Sequence, residues 1–276
     1  MGRPGRHTCQ SMRRGIPDPK SSKDWRVSSA PGQTTQPWQA GAWLGVTIIS
    51  PSYQEAGAEA VRRWKQYTGN PVLVIHAEAE PAFSVKLHLD ELCPARPIVF
   101  FDADLWLLRP LPFEQLDPVM WSAVGDPGVW NPGAFPHADC RSFDLDPTRY
   151  FNSGLMALDL GNMDHRAVFS AAREKLKQVH SGKAEKPVDW TDQFFLNAAF
   201  QASNLPLHLL PFAWNFYRFA VQEGSFPHIP RDIIGLHAAG VPVAEKLTAL
   251  QAQALAYSMP ERPMWPAAMD HYNSTK

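Results

Sequence analysis

The chain has 276 residues and a net charge of −1, which removes the electrostatic case for nucleic-acid binding and allows one or two domains. No apolar run approaches the roughly 20 residues that span a bilayer. Cys9, Cys93 and Cys140 stand far apart with no Cys-x-x-Cys pair, so neither a disulfide framework nor a zinc knuckle is suggested and the cytoplasm is the expected compartment.

Residues 1–40 carry Arg3, Arg6, Arg13 and Arg14 among many Pro, Ser, Gly and Gln, with almost no aliphatics. Such a stretch cannot bury enough apolar surface to order itself, so a disordered tail is expected. Met12-Arg13-Arg14 looks like a twin-arginine start, but no apolar core of about 7–15 residues follows, so export is not expected. Residues 43–50 read as a first buried strand, with Tyr53 just past its end. Residues 56–67 have helical spacing, with Ala60, Val61, Trp64 and Tyr67 as the apolar stripe, and Gly69-Asn70-Pro71 ends it. A second strand at 72–76 completes a βαβ start, which predicts a parallel sheet. A short helix at 83–92 stops at Pro94.

The next strand, 98–101, is β-branched and aromatic without a charge, so it reads as buried on both faces. It ends on Asp102 and Asp104. Side chains two apart on an extended segment point the same way, so both carboxylates can meet one small hard cation. Two carboxylates with several positions left open suit Mg²⁺ or Mn²⁺ carrying phosphate oxygens, and the carboxyl end of a strand is where α/β sheets bind ligands. The plainer alternative is a polar strand end followed by a turn.

Beyond it, 119–124 looks like a strand ending at Gly125-Asp126-Pro127, and 128–142 like a loop rich in Gly, Pro and Trp. Residues 150–160 are apolar except for Asn152-Ser153-Gly154. Helices are expected at 165–179 and 192–202, with a loop at 183–187. Short strands follow at 205–210 and 233–236, the latter ending on His237, then a helix at 246–259. Strands alternate with helices, so the class is α/β, with a single domain over 41–260 and a tail at 261–276.

Four separated segments then resemble one family in order. Phe101-Asp102-Ala103-Asp104 resembles the metal motif of glycosyltransferase family 8, which includes glycogenin and bacterial lipopolysaccharide galactosyltransferases. Ser122–Asp126 with Phe151-Asn152-Ser153-Gly154-Leu155, Asp192-Gln193-Phe194-Phe195-Leu196-Asn197, and Ile234-Gly235-Leu236-His237-Ala238-Ala239-Gly240 are similar to its later motifs. The resemblance implies a GT-A fold: one Rossmann-like mixed, mostly parallel sheet flanked by helices. It implies a metal-dependent, retaining transfer of a hexose from a nucleotide-diphosphate sugar, UDP-sugar foremost. The acceptor would be a saccharide, a protein or a lipid-linked group. On this resemblance Asp102, Asp104 and His237 hold Mn²⁺ or Mg²⁺, and Asp192 and Gln193 are the candidates for chemistry. Asp192 would stabilise or attack the anomeric carbon, or else bind a donor hydroxyl. Tyr53 would stack on the base, Lys86 would bind phosphate or a sugar hydroxyl, and Asp126, Asn152, Ser153 and Gly154 would line the sugar pocket. Gly240 would let backbone approach phosphate.

Two departures stand out. Only 77–82 separate the second strand from the Lys86 helix, where the family has a further αβ unit. After Gly240 the nearest lysine is Lys246, later than the family places it, so diphosphate binding depends on whether Lys246 reaches back. The competing readings are a non-catalytic nucleotide-sugar or carbohydrate-binding protein and a metal-dependent phosphohydrolase. The second would want its acids at the first strand, whereas here a helix-strand unit precedes them.

Overall fold

The computed structural model describes residues 25–29, 43–78, 83–188, 191–217, 230 and 232–258. Its centre is a seven-stranded sheet in the order β1-β3-β2-β4-β7-β6-β8. The strands are β1 (Trp25–Ser29), β2 (Leu44–Ile49), β3 (Val72–Ala77), β4 (Pro97–Phe101), β6 (Trp121–Gly125), β7 (Phe151–Asp159) and β8 (Leu207–Leu210). β2 pairs in parallel with β3 and β4, and β6 in parallel with β8. β7 is antiparallel to both β4 and β6, so β1 and β7 oppose the common direction of the other five. A second, two-stranded sheet pairs β5 (Leu105–Leu107) with β9 (Gly235–His237).

Both faces of the sheet are covered, as the unbroken apolar strands require. Along β4, Ile98 and Phe100 face one core while Val99 and Phe101 face the other. The first core receives Phe169 of α5 (Met163–His180) and Phe195 and Phe200 of α6 (Asp192–Ser203). The second receives Trp64 of α1 (Gln54–Thr68) and Leu250 and Ala254 of α7 (Val243–Ser258). Trp64 stacks on Phe101 with centroids 4.8 Å apart and planes 6° from parallel. Truncating either fully buried ring would cost about 3–5 kcal/mol. The strand that carries the acids is therefore clamped from both sides.

Besides the unexpected β5, the elements depart from expectation in three places. β1 lies inside the stretch expected to be a disordered tail and pairs antiparallel with β3, with Trp25 opposite Ala77 and Ser29 opposite Leu73. The open edge of β3 offers a row of backbone donors and acceptors, and that edge can recruit a strand whatever the average composition around it. The helix expected at 83–92 is two single turns, α2 (Phe83–Lys86) and α3 (Leu89–Leu92), separated at Leu87 and His88. The loop expected at 128–142 contains α4 (Phe135–Ser142), which has Pro136 in its first turn, where a missing N–H costs nothing. The remainder of 1–40 and the tail at 261–276 lie outside the described residues. No helix among the described residues is long and apolar enough to cross a membrane.

Candidate active site

Asp102 and Asp104 sit on a turn, not on a continuing strand. The Leu105 amide donates to the Asp102 carbonyl at 2.9 Å, and the chain then runs into β5. This turn brings both carboxylates to one side. In the small sheet Leu105 lies opposite His237, which carries the imidazole next to the acids. His237 Nε2 lies 3.6 Å from Asp102 Oδ2 and 3.4 Å from Asp104 Oδ1. One ligand atom from each of the three residues falls within 4.8 Å of the others. Two carboxylate oxygens and an imidazole nitrogen form a donor set suited to Mn²⁺ or Mg²⁺.

Gly154 makes room for that imidazole. A Cβ there would lie 2.4 Å from His237 Cε1, and the Gly154 carbonyl accepts the Asp102 amide at 2.9 Å. The glycine of the Asn152-Ser153-Gly154 triplet thus seats the ring while its backbone anchors the acid turn.

Two buried lysines flank the acids. Lys86 Nζ lies 2.9 Å from Asp102 Oδ1 and 2.8 Å from Asp192 Oδ2. It also donates to Ser153 Oγ at 3.2 Å. Burial opposes the Lys86 charge, but Asp102 and Asp192 outweigh it and hold its pKa above the ordinary lysine range. Lys246 pairs with Asp104 and donates to the Ala238 carbonyl at 3.1 Å. Gly240, at φ 77°, sits in the turn between His237 and α7, where the left-handed backbone favours glycine. That turn lets the first stretch of α7 fold back over the acids. Burial opposes the Lys246 charge as well, and Asp104 again outweighs it. Asp104 is driven well below the usual carboxylate range: burial pushes it up, but His237 and Lys246 pull it down harder. Asp102 moves the other way, pushed up by burial against the pull of Lys86 and His237.

Asp192 and Gln193 open α6, where the helix dipole favours an acid. Ser153 Oγ donates to Asp192 Oδ2 at 2.7 Å. The Gln193 amide spans the site: its Oε1 accepts the Ser153 amide at 3.2 Å and its Nε2 donates to Asp126 Oδ2 at 2.8 Å. Asn197, one turn on, exchanges two 2.8 Å hydrogen bonds with the backbone of Phe151 and pins this helix to β7. Asp126 also accepts Tyr217 Oη at 2.9 Å and the Gly128 amide at 2.8 Å. Tyr53 lies beneath Lys246, with the ammonium 5.2 Å from the ring centroid. A cleft of about 590 Å³ opens beside this pair between the starts of α1 and α7, walled by Tyr53, Gln54, Val243, Lys246 and Leu247. That volume lies in the range of small-molecule sites.

The fold has known counterparts. The bifunctional glycosyltransferase WbbM superposes with a TM-score of 0.58 at 14% identity, over 81% of this chain and 53% of that one. The galactosyltransferase LgtC, solved with donor and acceptor sugar analogs, gives a TM-score of 0.55 at 14% identity, over 80% of this chain and 98% of that one. The glycosyltransferase GlyE of Streptococcus pneumoniae TIGR4 gives 0.51 at 13% identity, over 85% of this chain and 64% of that one. The fold is that of the GT-A glycosyltransferases. The chain spans about half of the WbbM structure and nearly all of the LgtC structure. No protein-family model and no curated protein matches the sequence.

On this GT-A scaffold, the side chains singled out from sequence gather at one end of the sheet. Asp102, Asp104, His237, Lys86, Ser153 and Asp192 form one charged cluster, with Lys246 and Tyr53 on its cleft side. Asp126, Asn152 and Gln193 form the adjoining polar network. Sequence reasoning missed Asn197, Asn215 and Tyr217. Asn197 closes the motif that starts at Asp192, so its spacing was a usable signal. Asn215 and Tyr217 carried none.

Proposed function

We propose that this chain is a metal-dependent, retaining glycosyltransferase that moves a hexose from a UDP-sugar-like donor to a saccharide, protein or lipid-linked acceptor. The observation that carries this reading is the convergence of Asp102, Asp104 and His237 Nε2 on a GT-A fold, one face from Asp192 and Gln193. A bound Mn²⁺ or Mg²⁺ would neutralise the diphosphate as the sugar leaves it.

The protein groups divide the remaining work. Asp102, Asp104 and Asp192 set three carboxylates against the two ammonium groups of Lys86 and Lys246, so the cluster carries one surplus negative charge. A divalent ion held by Asp102, Asp104 and His237 would reverse that surplus and make the pocket attractive to a diphosphate. Lys246 stands on the cleft wall and would pass from Asp104 to the phosphate oxygens. Tyr53 offers its ring to the base from the same wall. Asp126 and Asn152 hold the sugar hydroxyls. The bond from the anomeric carbon to the diphosphate breaks, and the acceptor oxygen bonds to that carbon on the same face. The acceptor proton leaves with the departing phosphate. Asp192, fixed by Lys86 and Ser153, and the Gln193 amide stabilise the positive charge that builds on the sugar ring. Cys93 and Cys140 are free and buried, which accords with a cytoplasmic location.

UDP release from a panel of UDP-hexoses, with Mn²⁺ and with excess chelator, tests this reading. Release should require the metal, and nucleoside diphosphate should raise Tm only in its presence. Equal stabilisation in chelator would sink the metal assignment. Asp192→Asn should cut turnover by roughly 10²–10⁴-fold with donor affinity little changed, the pattern of an interaction made in the transition state. A loss of donor affinity with turnover of bound donor intact would transfer the chemistry to Gln193.

A further inference from the structure

Asn215 is fully buried in the 3-10 turn Phe212–Asn215, next to Phe216, which bridges to Leu236 of β9. The Phe216 amide donates to the Gly235 carbonyl at 2.8 Å, and the His237 amide to the Phe216 carbonyl at 2.8 Å. These bonds hold Asn215 against the His237 ring.

The hydrogen-bond directions around it follow from one backbone amide. The Gly154 N–H donates to Asn152 Oδ1 at 2.9 Å. A backbone N–H can only donate, so the atom it meets is the Asn152 carbonyl oxygen. The Asn215 side chain lies 2.8 Å from that same oxygen and must present its NH₂ there. Its own carbonyl oxygen is then turned to His237 Nδ1, 2.9 Å away. An amide oxygen only accepts, so Nδ1 carries a hydrogen. Nε2 is left as the variable position of the ring, and it faces Asp102 and Asp104. The bare Cα of Gly154 leaves the ring room to sit here, because a Cβ would lie 2.8 Å from Nδ1.

We infer that Asn215 is a positioning residue for the metal centre: relayed through Asn152 from the Gly154 amide, it fixes His237 in the Nδ1–H tautomer and keeps Nε2 available as a ligand. The metal half of this inference rests on the proposed function; the tautomer half does not. Groups that orient a ligating imidazole in this way change metal affinity by about 10–100-fold when removed.

The test uses the full chain with ¹⁵N-labelled histidine, with His237 assigned by its loss in His237→Gln. At a pH where the ring is neutral, long-range ¹H–¹⁵N spectra should show Nδ1–H for His237 in the metal-free protein. Asn215→Leu should shift the ring toward the Nε2–H form and weaken Mn²⁺ binding by about 10–100-fold. Asn215→Asp keeps an acceptor on Nδ1 but loses the donor to Asn152 Oδ1, so it should retain the Nδ1–H tautomer that Asn215→Leu loses. An Nε2–H ring in the native protein would overturn the inference, and this measurement decides it even if Asn215→Leu does not fold. An unchanged tautomer and unchanged Mn²⁺ affinity in a folded Asn215→Leu would overturn it as well. If the tautomer responds as expected but the native protein binds no Mn²⁺, the metal reading fails and the positioning role stands.

Discussion

Lys86 and Lys246 are both buried, and each lies on one of the two acids of the same turn. Their surroundings differ. Lys86 bridges Asp102 and Asp192, 2.9 Å and 2.8 Å away, and Ser153 helps hold it. Lys246 holds a single carboxylate, Asp104, and stands on the wall of an open cleft. Withdrawing Lys86 would leave two buried carboxylates unmatched. Withdrawing Lys246 would leave one, Asp104, with His237 Nε2 still 3.4 Å away. On the proposed function, one lysine would be part of the frame and the other an exchangeable counter-ion.

The largest effect should come from Lys86→Met. Breaking a buried pair by removing one partner costs about 3–5 kcal/mol, which lowers the Tm of a domain this size by on the order of 10 °C. Urea unfolding of the metal-free protein checks this. Transfer activity should also be lost, because Asp192 loses the cation that fixes it. A destabilisation below about 1 kcal/mol, the scale of a surface pair, would erase the distinction between the two lysines.

Lys246→Met should give a split result. Without the competing ammonium, Mn²⁺ alone should bind Asp102, Asp104 and His237 more tightly, by roughly tenfold or about 1.4 kcal/mol. UDP binding in saturating Mn²⁺ should weaken by a similar roughly tenfold factor, because a cation for the diphosphate is gone. Calorimetric titration of Mn²⁺, then of UDP, reads both. Changes of the same sign would show that Lys246 does not exchange partners.

How far this contrast could be read from sequence depends on the range of the interactions. The buried strand ending on Asp102 and Asp104, the βαβ start and the helix opening at Asp192 are local patterns, and all were legible. Lys86 was singled out only through the family resemblance, which gave it a phosphate or a sugar hydroxyl; its pairing with Asp102 and Asp192 was not legible. Nor was the reach of Lys246: it depends on the turn at Gly240 and on where α7 docks, which are tertiary facts. β5 has only three residues, and its partner β9 lies far along the chain, so no periodicity marks it. β1 was missed because a composition average cannot register that β3 has an edge to fill. Asn215 and Tyr217 act through single hydrogen bonds to residues distant in sequence, and a lone Asn or Tyr carries no spacing signal.

The smallest expected effect separates the lysines by pH. Asp104 is held below its ordinary range, with burial overcome by His237 and Lys246. A depressed carboxyl contributes stability above its unfolded value of about 3.9, and loses it as pH falls through the folded value. The stability gap between the native protein and Lys246→Met should therefore persist down to about pH 4 and close below it. Asp102 is already raised, chiefly by burial, and Lys86 pulls against that rise. In Lys86→Met it should rise further. A raised carboxyl costs stability above its folded value, and the cost is relieved as pH falls from there toward about 3.9. The gap for Lys86→Met should thus begin to close above pH 4, at a pH where the Lys246→Met gap is still full. Urea unfolding at about pH 7, 5 and 3.5 resolves the two curves, since the acids titrate across that span. Gaps that close together would mean that Asp102 and Asp104 titrate as one unit and that the two lysines serve them equally.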